Sequence, residues 1–190
     1  MALLPVYTYG TSVLRKKAKP VKEISDELIT LIRDMFETMH YSQGIGLAAN
    51  QVGSMHRVFV VDISELEGFE NEKPIALINP EILATDGELV MEEGCLSIPS
   101  IRGKVTRVEK IRIKFYDANL KEVVMDAGEM LARVMLHELD HLNGILFIDH
   151  LPQDEYKKIL PELKDIQRGD MEADYDVFTA PDEKKLLKKK

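Results

Sequence analysis

Between residues 24 and 40 the apolar side chains fall at Ile24, Leu28, Leu31, Ile32, Met35, Phe36 and Met39. That spacing is one face of an α-helix, and Ser25 stands where an N-cap is needed. The methionines on this face read as core filling. The period then changes. Residues 57–63 (RVFVVDI) are short, apolar and rich in valine, as a buried strand would be. Residues 75–79 and 82–91 read as two more strands. Residues 111–116 (IRIKFY) alternate, and 123–125 can pair with them across the turn Asp117-Ala118-Asn119. Short turns between successive strands favour antiparallel or mixed sheet over repeated βαβ units. A second helix is predicted over 127–143, with Asp126 and Glu129 at capping-box spacing and Gly144 as its stop. A third is predicted over 153–167, broken or bent near Pro161. The order of elements predicts an α+β domain, with antiparallel or mixed sheets packed around the helix over 127–143.

Composition narrows this picture. A chain of 190 residues, 45% of them hydrophobic, suits a single folded core. We expect one catalytic domain over 1–167 and a partly disordered C-terminal extension over 168–190. Formal net charge is −8 even though five lysines crowd 184–190, so the body is more acidic still. Such a body repels phosphate backbones and argues against nucleic acid as a direct substrate. The lysine tail reads as a solvated, frayed end, at most a weak contact with the ribosome or another RNA-containing assembly. No apolar run approaches the roughly 20 residues that span a bilayer. The opening MALLPV has none of the features of a signal peptide. The chain therefore reads as soluble and not exported, with no membrane partner. Its one cysteine, Cys95, cannot form an internal disulfide, which suits a reducing compartment. Cys95 is then either a small buried hydrophobe or a thiolate acting as nucleophile or metal ligand.

The segment His137-Glu138-Leu139-Asp140-His141 lies inside the second predicted helix. Residues four apart share a helix face, so the two imidazoles can share one cation. Met130 and Val134 precede them on that stripe. Glu138 sits about 100° round the helix, able to reach a water without being a ligand. The plainer reading is two packed or solvated histidines. Asp140 can orient an imidazole or form an ion pair, with Arg107 as one candidate partner. A catalytic site of this kind needs a third protein ligand and an open fourth position. His150 and Glu155 follow at no convincing spacing. Cys95 is the better candidate, because Gly94 and Pro99 constrain the stretch Glu93-Gly94-Cys95-Leu96-Ser97-Ile98-Pro99. A thiolate with two imidazoles suits iron(II), zinc, cobalt or nickel. A further run, GIGLAANQ over 44–51, lacks the third glycine or Lys-Ser/Thr of phosphate loops. Its Gln51 either caps and solvates or donates to a developing oxyanion.

Together, GIGLAANQ (44–51), EGCLSIP (93–99) and HELDH (137–141) resemble the three signature motifs of the peptide deformylases, in the family's order. Tyr9-Gly10, with 13–15 (VLR) and 18–21 (AKPV), is similar to that family's N-terminal stretch. The resemblance covers about residues 5–152. It implies removal of the N-formyl group from N-formylmethionyl nascent peptides, releasing formate. It implies that Cys95, His137 and His141 bind one divalent metal ion, usually iron(II), with zinc, nickel or cobalt also accepted. Glu138 would be the general acid/base, and Gln51 with the Leu96 N–H would hold the oxyanion. Backbone groups of Ile45, Gly46 and Gly94 would align the peptide as an added strand. Ile45, Met91, Val134 and His137 would wall the methionine pocket. Two positions depart from the family: Leu136 where most members carry Gln, and Ser100, with Arg102 two residues on, where many bacterial members are acidic. A metallopeptidase would share HELDH but leave EGCLSIP unexplained. The rival from another class is a catalytically silent homologue or a structural zinc protein; a structural site is normally closed by four protein ligands, and three are evident.

Overall fold

A computed structural model describes residues 2–188. Strand β1 (Val6–Tyr7) and a 3-10 turn (Ser12–Arg15) precede helix α1 (Asp26–Tyr41). Ser25 caps α1, its hydroxyl accepting from the Leu28 N–H at 3.2 Å. Leu28, Ile32, Met35 and Met39 are buried along one face, the face the spacing predicted. Strands β2 (Gly46–Ala48) and β3 (Val58–Val61) follow, then β4 (Ile75–Asp86), β5 (Leu89–Cys95), β6 (Ile98–Arg107), β7 (Lys110–Tyr116) and β8 (Glu122–Gly128). Helix α2 (Glu129–Leu142), helix α3 (Gln153–Arg168), strand β9 (Val177–Phe178) and helix α4 (Ala180–Leu187) complete the order.

The fold is mixed α+β. A five-stranded sheet runs in the order β2-β3-β4-β7-β8, every neighbouring pair antiparallel, so β2 forms one edge. A separate hairpin joins β5 and β6, and β1 pairs parallel with β9. One side of α2 enters the core against the large sheet, with Ala132, Met135 and Leu139 packed among Phe59, Leu77 and Ile113. The other side bonds to the hairpin: Arg133 donates to the carbonyls of Val105, at 2.9 Å, and Leu89. The predicted β7–β8 turn is present, the Asp117 carboxylate accepting from the N–H groups of Asn119 and Lys121 at 2.8 and 2.9 Å.

Five expectations need correction. The strand over 82–91 is two strands, because Gly87 takes a left-handed turn (φ 69°) between β4 and β5. Residues 75–79 and 82–86 are one strand, carried past Pro80 by shifts in its register with β7. Strand β6 was missed, since few of its residues are apolar and buried. Asp126 does not cap α2: it is a ladder residue of β8 opposite Arg112, and Gly128 occupies the cap. Pro161 does not break α3, which packs Leu163 and Ile166 into the core beyond it.

Beyond 167, β9 and α4 follow α3. They are tied to the body through the β1–β9 pairing and a hydrogen bond from the Ser12 hydroxyl to Glu183 at 2.6 Å. A pairing between residues so far apart leaves no local signal. Of the lysine tail, residues 189 and 190 lie outside the described residues. Among the described residues no helix is long and apolar enough to cross a membrane.

Candidate metal centre

Helix α2 carries His137 and His141 one turn apart, with ring centroids 5.0 Å from each other. The end of β5 brings Cys95 to them, just past a break in the β5–β6 register after Gly94. One ligand atom from each of the three lies within 4.8 Å of the other two. Cys95 Sγ is 3.1 Å from His141 Nε2. Both histidines are buried. Burial, reinforced by His137, holds the His141 pKa well below its ordinary value, while hydrogen bonds to Cys95 and Glu93 outweigh burial and hold the His137 pKa well above its own.

Glu93 is the functional neighbour that sequence reasoning passed over. Its carboxylate is buried and accepts from His137 Nδ1 at 2.9 Å, so the opposite ring nitrogen is left for the cluster. Arg107 donates to both Glu93 oxygens at 2.6 and 3.0 Å, and Arg133 to one at 2.7 Å. Burial alone would raise the Glu93 pKa, but the bonds from His137 and Arg107 win and hold it far below the carboxylate range. The one local trace of Glu93 is its place two residues before Cys95 on β5, while its partners come from other elements. Arg107 also donates to Asp140 at 2.6 Å, and His150 Nε2 lies 2.7 Å from the same oxygen. Asp140 thus takes its ion-pair reading, and His150 serves Asp140 rather than the cluster. Glu155 is exposed and pairs with Lys158.

Gln51 lies in the short turn after β2 (Ala49–Val52), and its capping reading is the one seen here. Its Oε1 accepts from the Ala48 N–H at 2.8 Å. That fixes the amide so that Nε2 donates to Ser97 Oγ at 3.2 Å and to Cys95 Sγ at 3.5 Å. Glu138 is buried and faces β2, where a Cβ on Gly46 would come within 2.6 Å of its Oε1 and 2.7 Å of Val134. Its Oε2 has no hydrogen-bond partner among the described residues. Burial pushes the Glu138 pKa up to about 7, against His137 and with some help from Glu93.

The remaining predicted positions are less tightly gathered. Ile45 directly precedes edge strand β2, and its carbonyl accepts from the Asp62 N–H at 3.0 Å. Met91 is half-buried on β5 opposite Val105, and Gly94 stands opposite Arg102. Leu96 follows Cys95 into the β5–β6 turn. Ile45, Met91 and Val134 line neither of the two cavities described, of about 320 and 590 Å³. Of the departures, Leu136 packs on the main core and Ser100 is exposed with φ 66°.

A half-buried thiol and two buried imidazoles, with a free carboxylate and a fixed amide beside them, mark an α+β hydrolase. Relatives make the class specific. The family model for polypeptide deformylase matches residues 3–157. A peptide deformylase of Chlorobium luteolum is 45% identical over 175 residues, covering 92% of this chain and 92% of the relative. The crystal structure of a peptide deformylase from Legionella pneumophila superposes with a TM-score of 0.81 at 37% identity, covering 89% of this chain and 98% of that one. The peptide deformylase of Ehrlichia chaffeensis in complex with actinonin gives 0.81 at 32% identity, over 90% of this chain and 100% of that one. The chain belongs to the polypeptide deformylase family.

Proposed function

We propose that this chain hydrolyses the N-formyl group from the N-terminal formylmethionine of nascent polypeptides and releases formate. The observation that carries this reading is the meeting of the Cys95, His137 and His141 donors beside the unpartnered carboxylate oxygen of Glu138. The three donors fit one divalent ion. They converge, Glu93 orients one imidazole from behind, and three protein ligands leave a position open. Iron(II) is the proposed ion in the cell, with zinc, nickel or cobalt as substitutes. When bound, the ion supplies a Lewis acid and lowers the pKa of water.

The chain's own groups do the rest. With a pKa near neutrality, Glu138 takes a proton from the attacking water and returns it to the leaving amine. Gln51, its carbonyl end tied to Ala48, presents its amide N–H to the oxyanion, joined by the Leu96 N–H. The edge of β2 receives the peptide through the backbone of Ile45 and Gly46, with Gly94 of the β5–β6 hairpin as a further backbone partner. Gly46 has no side chain to obstruct Glu138. Ile45, Met91, Val134 and His137 form the methionine pocket. Sheet and hairpin thus pack around α2 as the helix of the metal motif. The compartment is a bacterial cytoplasm, and any ribosome contact falls to the lysine tail.

Formyl-Met-Ala-Ser is the test substrate. Glu138→Ala should keep its metal, measured by elemental analysis, and lose about two to four orders of magnitude in turnover. Normal turnover in that variant would overturn the role. Cleavage of unformylated internal peptide bonds without deformylation would favour a metallopeptidase.

A further inference from the structure

Tyr175 lies beyond the residues the family model matches, and no role above uses it. The β1–β9 pairing returns it to the site. Val6 pairs with Val177 and Tyr7 with Phe178, and the Val6 N–H donates to the Asp176 carbonyl at 2.9 Å. The Tyr7 and Phe178 rings pack with centroids 4.4 Å apart. Held this way, Tyr175 donates its hydroxyl to the Leu96 carbonyl at 2.8 Å. Burial, with the charges of Cys95 and Asp174, raises the phenol pKa far above its ordinary value, so the hydroxyl remains a donor.

The position of that bond matters. Cys95 pairs with Ile98, so Leu96 and Ser97 are the two central residues of the β5–β6 turn. The Leu96 carbonyl belongs to the peptide between them. The neighbouring groups of the turn are tied elsewhere: the Ser97 carbonyl accepts from the Tyr9 N–H at 2.8 Å, and Ser97 Oγ from Gln51 at 3.2 Å. Tyr175 supplies the tie to the central peptide plane. Rotation of that plane would turn the Leu96 backbone and, with it, the approach of Cys95.

We propose that Tyr175 is a positioning residue for deformylation, its hydroxyl fixing the Leu96–Ser97 peptide so that the Leu96 N–H and the Cys95 thiol keep their directions. The inference rests on the function proposed above. In the full-length, metal-loaded enzyme, Tyr175→Phe removes only the hydroxyl. Loss of one such bond is expected to lower kcat for formyl-Met-Ala-Ser about fivefold and leave KM within about twofold. Amide exchange at Leu96 and Ser97 should quicken about fivefold, while the unfolding midpoint stays within about 2 °C. Thr179→Ala is the control. It removes the Thr179 Oγ1 bond to Asp182, 2.7 Å long, and loosens the start of α4 without touching Leu96. Its kcat should match wild type. Wild-type kcat and exchange in Tyr175→Phe, or an equal kcat loss in Thr179→Ala, would overturn the proposal. A wild-type chain that fails to deformylate would sink the functional reading instead, and the exchange at Leu96 and Ser97 would still decide the anchor.

Discussion

Glu93 meets Arg107 at 2.6 Å, and Glu155 meets Lys158 at 2.6 Å. The two ion pairs are equal in length and opposite in setting. Side-chain exposure is 4% and 6% for the first, 51% and 66% for the second. In water the charges are screened and gain little from meeting. In the interior, each must be matched or the fold suffers. Glu93 is matched three times, by Arg107, Arg133 and His137. The buried network therefore sets positions. It connects hairpin to α2 and turns one nitrogen of His137 toward Cys95. The exposed pair sets nothing, since α3 is held by its buried Leu163 and Ile166.

The sharpest way to break this contrast is Glu93→Ala. It strands Arg133 beside backbone carbonyls only, leaves Arg107 with Asp140, and releases His137. The expected loss is about 3–5 kcal/mol in urea unfolding, with metal affinity down about 10–100-fold by competition with a chelator. Stability within error of wild type would show that the network is ornamental. Next is Gly46→Ala, which pushes a methyl against Glu138 and Val134. Overpacking of this kind costs about 1–3 kcal/mol. Deformylase rate measured well below the melting temperature should fall further than stability does, because the displaced group is the proposed acid/base. Asp140→Asn is milder still. It removes charge from Arg107 and His150 but keeps an acceptor in place, for about 1–2 kcal/mol of stability.

Parts of this network were legible in advance. The i, i+4 spacing of His137 and His141 is a local property of a helix, and folding reproduced it. Cys95 could be placed because glycine and proline constrain its neighbours. Arg107 was a candidate for Asp140 on charge alone. Glu93 was quoted within its motif and given no role, because its partners lie 14 and 40 residues away on β6 and α2. Nothing local reports such a meeting. Asp126 was misread for the opposite reason: its capping-box spacing is local, but the β8 ladder claims the residue first. Tyr175 shows the same limit. Its tie to Leu96 spans 79 residues and depends on a strand of two residues.

The smallest expected effect completes the comparison. Lys158→Ala removes the ammonium from Glu155 while leaving three other turns of α3 intact in water. Alanine is at least as good a helix former as lysine, so no propensity is lost. The Glu155 side chain becomes free to be hydrated at little cost, because half of it is exposed already. Glu155 lies in the first turn of α3, where its charge suits the helix dipole whether or not Lys158 is present. The unfolding midpoint should therefore not move beyond measurement error, in low salt or high. A clear loss at low salt that vanishes on adding salt would mean that the surface pair does carry stability. The contrast drawn from equal distances would then be one of degree, and burial would no longer be what separates the pair that positions His137 from the pair that does not.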